Sequence, residues 1–260
     1  MALVSLEIDG DLAIITLDNP PVNAVSLQMI AEFHNVIDDL LASLARAVFT
    51  RSNHPVFSAG ADVRVFVDKE FTQARRELAD GIELLQRFEA LPMPTIAQID
   101  GMCVAAGCEF MLMHDLAYAS TRSQIGQVEA MIGTSTLLGG VQRLAARCGS
   151  ARAAEMVFSG LPYPAERMAE WNVINGVYEA DVLTEKVERR ARKLASGPTQ
   201  AHVVTKAALR AFRKGGMATA DDVMLEAAPR LLQTNDMKAG VQAFLDEGVA
   251  SFGKTPFEGR

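Results

Sequence analysis

The order of periodicities along the chain constrains its fold more than any single motif does. Through the first two thirds, short β-branched runs alternate with helical patterns, and from Gly139 onward the pattern is helical almost throughout. "LVSLEIDGDLAIITLDNP" reads as two strands about an Asp-Gly-Asp turn, the second ending at Asn19-Pro20. Ser26 is placed to cap a helix running to about Leu44, with Leu27, Ile30, Phe33, Ile37 and Leu41 along one face. "RAVFTRS" is the next strand and "PVFSAGAD" the turn that follows it. Residues 70–90 make a long amphipathic helix, stopped by the prolines of "LPMPT". "TIAQIDG" is an apolar strand; a small-residue turn and a helix from about Gly107 to Met113 come next, then short strands in "DLAYAS" and "SQIG". Helices are expected at 139–147, 150–158, 164–171, 181–195, 199–213, 217–233 and 236–247, with Ser150 as a cap and Pro164 in a first turn.

Strands alternating with helices predict an α/β fold with mainly parallel pairing. "ASGPT" separates a core of residues 1–195 from a C-terminal helical region, residues 196–260. Leu209, Phe212, Met224, Leu225, Leu231, Leu232 and Phe244 exceed what a thin appendage can hide, so they are expected to pack on the core or on another subunit.

Charge and cysteine content narrow the partners. Apolar residues make up 49% and charged residues 22% of the 260, as in an ordered globular protein. A formal net charge of −7 argues against nucleic acid or an anionic membrane as partner, because neutralising phosphates takes clustered Lys and Arg. A small anionic ligand is still admissible, since backbone N–H groups can hold one. The longest apolar tract, residues 95–120, is interrupted by Asp100, Glu109, His114 and Asp115, which disfavours a membrane span. Cys103, Cys108 and Cys148 are an odd set suited to a reducing interior, and the N-terminus carries no signal-like pattern. The expected location is the cytoplasm.

Familiar cofactor and nucleophile motifs are missing. The glycines spell neither GxGxxG nor GxxxxGK[ST], and neither HExxH nor GxSxG occurs. His34, His54, His114 and His202 are scattered, and Cys103 and Cys108 lack partners at zinc spacing. No metal site is expected. Glutamates, glycines and backbone remain.

Two segments share one design. "VFTRSNHPVFSAGADVR" passes from a strand through Ala59-Gly60-Ala61 into a short helix near Asp62; "TIAQIDGMCVAAGCEFML" passes through Ala105-Ala106-Gly107 into another. A helix start exposes unpaired N–H groups, and small residues let a ligand carbonyl approach them. Two such starts aimed at one point would make an oxyanion hole; either alone is more simply a tightly packed turn. Glu109 lies among Cys108, Phe110, Met111 and Leu112, where an idle charge would cost several kcal/mol. Glu129, in "QVEAMIGTSTLLGG", is the second candidate carboxylate, and taken alone it is more simply a residue of a solvated face.

With these pieces assembled, the chain resembles the crotonase, or enoyl-CoA hydratase/isomerase, superfamily over nearly its full length. The likeness rests on "LDNPPVNAVS", "FSAGADV", "IDGMCVAAGCEFMLMHDLAYAS", "GQVEAMIG" and "GGVQRLAARCGSARAAEMVFSG" in this order. It implies stacked ββα units with a C-terminal helical region, assembly as a homotrimer or dimer of trimers, and an acyl-CoA thioester substrate. Coenzyme A is then part of the substrate, and no separate cofactor is implied. The resemblance assigns the Ala61 and Ala106 amides to the thioester oxygen, Glu109 to the attacking water and Glu129 to the C2 proton. It adds Ala59, Asp62, Val63, Arg64, Leu137 and Phe244 to the substrate- and CoA-binding set. Retention of both glutamates favours a 2-enoyl-CoA hydratase. Isomerisation, thioester hydrolysis or decarboxylation on the same scaffold, and a non-catalytic acyl-CoA- or RNA-binding relative, are the alternatives. The family's pattern is broken at several positions. Ala106 stands for a usual glycine, Thr136 and Leu137 for a Pro-Gly segment, Pro55 for a lysine, and Glu247 for a lysine near Phe244.

Overall fold

The computed structural model describes residues 2–259. Strands β1 (Val4–Asp9) and β2 (Leu12–Leu17) form the expected hairpin, pairing antiparallel from Val4–Leu17 to Asp9–Leu12. Helix α1 (Leu27–Ala42) is capped by Ser26, whose hydroxyl accepts from the Met29 N–H. Its core stripe is Met29, Ile30, Phe33, Val36, Ile37 and Leu40. Leu27 and Leu41, expected on that stripe, are exposed. At 100° per residue both fall outside a stripe centred on Phe33, Leu27 further than Leu41, while Met29 and Leu40 fall inside it.

Strand β3 (Ala47–Ser52), helix α2 (Phe71–Glu89) and strand β4 (Thr95–Ile99) follow. Then come β5 (Met102–Val104), α3 (Ala106–Leu112), β6 (Leu116–Ser120) and β7 (Gln124–Gly126). The main sheet runs β1-β2-β3-β4-β6-β9, with β9 at Gly176–Tyr178 and every pair after the first hairpin parallel. A second sheet pairs β5 with β7 in parallel, and β7 with β8 (Pro162–Pro164) antiparallel. The sequence predicts no strand at β5, β8 or β9: three residues show almost no alternation, and these lie in a small-residue turn, before a proline-started helix and after a helix. Helices α1, α2 and α3 meet above the sheet in one apolar cluster, with Phe33 edge-on to both Phe88 and Phe110. Each large side chain fully buried there contributes about 1.5–3 kcal/mol.

Helix α4 (Gly140–Ser159) breaks at Gly149, whose φ is 80°, and α7 (Thr199–Leu231) breaks at Gly216, whose φ is 76°. These breaks account for the paired helices expected at 139–147/150–158 and 199–213/217–233. Between them lie α5 (Ala165–Glu170), flanked by Pro164 as its N-cap, and α6 (Leu183–Ala195); α8 is Asn235–Glu247. The start of α7 is tied to the core by charge. The Lys206 ammonium is buried and donates to the Met93 carbonyl at 2.9 Å, with the Asp115 carboxylate at 2.7 Å. Arg46 donates to Thr199 Oγ1 and to the carbonyls of Gly197 and Phe257. Beyond these ties, Leu209, Phe212, Met224, Leu225, Leu232 and Phe244 stay exposed, so packing on the chain's own core does not cover them. Among the described residues no helix is long and apolar enough to cross a membrane.

Candidate active site

The two small-residue turns lie against each other. The Ser58 amide donates to the Met102 carbonyl, and the Val104 amide donates back to the Ser58 carbonyl, both at 3.1 Å. Gly107 packs so tightly on Ser58 that a β-carbon there would sit 2.6 Å from Ser58 Cβ and 2.7 Å from its carbonyl oxygen. Ala61 and Ala106 are thereby brought to neighbouring positions on one cavity wall. A β-carbon built at Gly60, the residue before Ala61, would lie 3.7 Å from the Ala106 nitrogen.

Both amides are left over by the pairing around them. The parallel bridge between Val25 and Ala61 uses the N–H groups of Val25 and Asp62, and the Ala61 N–H has no acceptor among the described residues. Ala106 opens α3, so its N–H has no helical carbonyl to reach; the first intrahelical donor is Glu109, to Ala105 O. Ala105 is held at φ 50° and ψ −128°, a region costly for a residue with a β-carbon. That conformation turns the chain from β5 into α3 and presents the Ala106 amide.

Glu109 and Glu129 face the same cavity, a space of about 460 Å³. The Glu109 side chain is buried, and its Oε1 accepts from the Leu138 and Gly140 amides at 2.9 and 2.8 Å. Arg143 steadies the loop that supplies those amides. It forks onto Glu89 at 2.9 Å through two nitrogens and also donates to the Leu138 and Gly139 carbonyls. Glu129 opens a short 3-10 turn, Glu129–Ile132. The buried Gln127 amide, its nitrogen oriented by the surrounding network, donates to both Glu129 oxygens at 2.8 and 3.0 Å.

Burial, and next the charge of Glu129, raise the Glu109 carboxyl to about 8 against the two N–H donors; burial raises Glu129 as well. At neutral pH the Glu109 carboxyl therefore favours its protonated form. Between about pH 4.5 and 8 the folded protein keeps a proton on Glu109 that the unfolded chain has lost, so stability declines as pH rises through that window. Thermal midpoints from pH 5 to 8.5 are expected to fall more steeply for the wild type than for Glu109→Gln; parallel curves would contradict the burial argument.

Of the residues expected at the site, Ala59, Ala61, Val63, Ala106, Glu109, Glu129 and Leu137 line the cavity. Asp62, Arg64 and Phe244 do not. The Asp62 carboxylate caps the 3-10 turn Val63–Phe66 and pairs with Arg64, whose side chain is 88% exposed. Phe244, on α8, stacks on Phe252 at 5.7 Å. Thr136, standing where the family has its Pro-Gly segment, accepts from the Val141 amide at the start of α4. Residue-by-residue reading of the sequence did not single out Gln127, or the Leu138 and Gly140 amides. The only trace of Gln127 was its place two residues before Glu129 at the end of a strand. His114 is structural: it is buried, bonded to the Phe110 carbonyl and Thr50 Oγ1, and held down at about 4 by burial. Cys103 and Cys108 are buried thiols whose pKa burial pushes up.

Stacked ββα units carrying a carboxylate pair beside two free amides define the chain as a crotonase-fold protein with an enzyme-like cleft. The family model for enoyl-CoA hydratase/isomerase matches residues 7–255, and the chain belongs to that family. It is 27% identical over 259 residues to a probable enoyl-CoA hydratase of Bacillus subtilis, covering 97% of this chain and 99% of that one. It is 26% identical to the short-chain-enoyl-CoA hydratase of Clostridium acetobutylicum, covering 94% and 95%. Among solved structures, the enoyl-CoA hydratase of Bacillus anthracis superposes with a TM-score of 0.90 at 25% identity, covering 99% of this chain and all of that one.

Proposed function

We propose that the protein hydrates a 2-enoyl-CoA across its 2,3 double bond. The observation that carries this reading is the convergence of two unpaired amides and two buried carboxyl groups on one apolar cavity. The thioester oxygen accepts from the Ala61 and Ala106 N–H groups. Water held between the acids attacks C3, and one carboxylate takes its proton as the C3–O bond forms. The π electrons move onto the thioester oxygen, where the two amides stabilise them, and then return to bind a proton at C2 from the second carboxyl. One proton enters the pair and one leaves it, on one face of the substrate, so addition is syn. Glu109 takes the water's proton in this scheme and Glu129 serves C2. Burial favours the resting proton on Glu109, so it passes to Glu129 through the shared water before attack. Removing either amide would cost a few kcal/mol of barrier.

Crotonyl-CoA tests the reading through the loss of its conjugated enoyl absorbance. Hydration by the wild type supports it. Unchanged absorbance with short, medium and aromatic enoyl-CoAs, together with migration of a 3,4 double bond or release of free thiol, would replace hydration by isomerisation or thioester hydrolysis.

The same reading includes assembly as a homotrimer or a pair of trimers through the exposed apolar faces of α7 and α8. Light scattering is expected to return three or six times the 28.0 kDa of one chain. A monomer at micromolar concentration would remove that part.

A further inference from the structure

One wall of the cavity holds charge that the hydration scheme leaves unused. Lys69 and Glu77 both line it, among Val65, Phe66, Ala74 and Leu78. The Lys69 ammonium donates to both Glu77 oxygens at 2.6 Å, and Gln73 adds a third hydrogen bond to Glu77 at 2.9 Å. The Lys69 and Glu77 side chains are 17% and 23% exposed, so most of their water is already gone. By comparison, the surface pair Arg152–Glu155 stands 49% and 45% exposed. The remaining Lys69 N–H finds no acceptor among the described residues, and no other basic residue lines the cavity there.

Helix geometry places the pair one turn along the cavity from the segment that holds Glu109. Ala74, Glu77 and Leu78 occupy one face of α2, and Gly81 continues that face. At Gly81 the helix touches Leu138 so closely that a β-carbon would lie 2.6 Å from Leu138 Cδ2, and the Leu138 amide holds Glu109. Glu77 is one turn along from that contact, about 6 Å at 1.5 Å per residue.

We propose that Lys69 and Glu77 select acyl groups that carry an oxygen acceptor partway along the chain, about one helical turn from the segment that holds Glu109. A plain alkyl chain laid against the pair strips its last water and returns no hydrogen bond. A hydroxyl or carboxylate oxygen at that point accepts the spare Lys69 N–H. Sites built to bond a polar substrate group reject the analogue lacking it far more strongly than apolar pockets reject an extra methylene.

The inference rests on the acyl-CoA reading but not on hydration, so its test measures binding. Hexanoyl-CoA, 6-hydroxyhexanoyl-CoA and the ω-carboxylated six-carbon thioester, all saturated, are titrated calorimetrically into the full-length protein. At least one oxygenated chain is expected to bind about tenfold more tightly than hexanoyl-CoA. Whichever arm wins says whether the acceptor is neutral or anionic. Lys69→Met/Glu77→Met, which leaves no lone buried charge, is expected to reverse the order. Hexanoyl-CoA binding as well as or better than both oxygenated chains in the wild type would overturn the inference, whether or not the double variant folds. So would an oxygen preference that survives in a folded double variant. An oxygen preference without hydration of any enoyl-CoA would instead sink the reaction and leave this selectivity standing.

Discussion

Glu129→Gln is expected to lower the rate of crotonyl-CoA hydration by about a hundred- to ten-thousand-fold, with saturated acyl-CoA binding retained. The range is that of a single positioned acid or base. Glutamine keeps the shape of the side chain but can neither deliver nor take up a proton, so the loss falls on kcat. Glu109→Gln is expected to do the same, and its fold is preserved because the amide oxygen can still accept from the Leu138 and Gly140 N–H groups. In the proposed scheme the two acids act on one water, so the double variant should be little worse than the poorer single one. Stopped-flow absorbance with each purified variant measures all three. A Glu129→Gln enzyme within threefold of wild type would remove the carboxylate pair from the mechanism, whatever the family.

Gly107→Ala carries the second large effect, and it reaches both amides at once. The new methyl would sit 2.6–2.9 Å from Ser58 Cβ, carbonyl oxygen and Oγ. Ser58 cannot yield easily. Its hydroxyl donates to the Asn23 carbonyl at 2.7 Å, and its amide and carbonyl are both bonded to the β5 segment. The two turns must therefore part. Overpacking of this kind costs about 1–3 kcal/mol of stability. Separating two donors aimed at one oxygen by about 1 Å costs on the order of a hundredfold in rate. Urea unfolding and kcat on the same preparation test the pair of effects. A variant of normal stability and normal kcat would mean that the contact between the turns does not set the amide geometry.

Much of this molecule can be read from local pattern, and its limits have a physical cause. Ser26 at a helix start and the prolines after α2 act on their own stretch of chain, so their effects are visible residue by residue. The alternation of strand and helix was enough for a mainly parallel α/β sheet. Glu109 was conspicuous because a carboxylate among Cys108, Phe110 and Met111 needs a reason. The short strands β5, β8 and β9 were invisible, since their pairing is set by partners far away in the chain and not by periodicity. Two positions of α1 were misjudged for a similar reason: Leu27 and Leu41 fit an apolar stripe, and only the packing of Phe33 against Phe88 and Phe110 says where that stripe is centred.

At the site, residue types alone named two candidate acids and two small-residue turns, and only the resemblance singled out Ala61 and Ala106 within those turns. Residue types could not say that the Ala61 amide is the one its bridge leaves unused, nor that Gln127 holds both Glu129 oxygens, nor that Asp62 and Arg64 pair with each other away from the cavity. Charge balance and local backbone preference are properties of a stretch of chain and survive without a fold. Which N–H stays free, which acid loses its water and which cation lines the cavity are properties of distance, and distances between residues tens of positions apart exist only after packing has closed them.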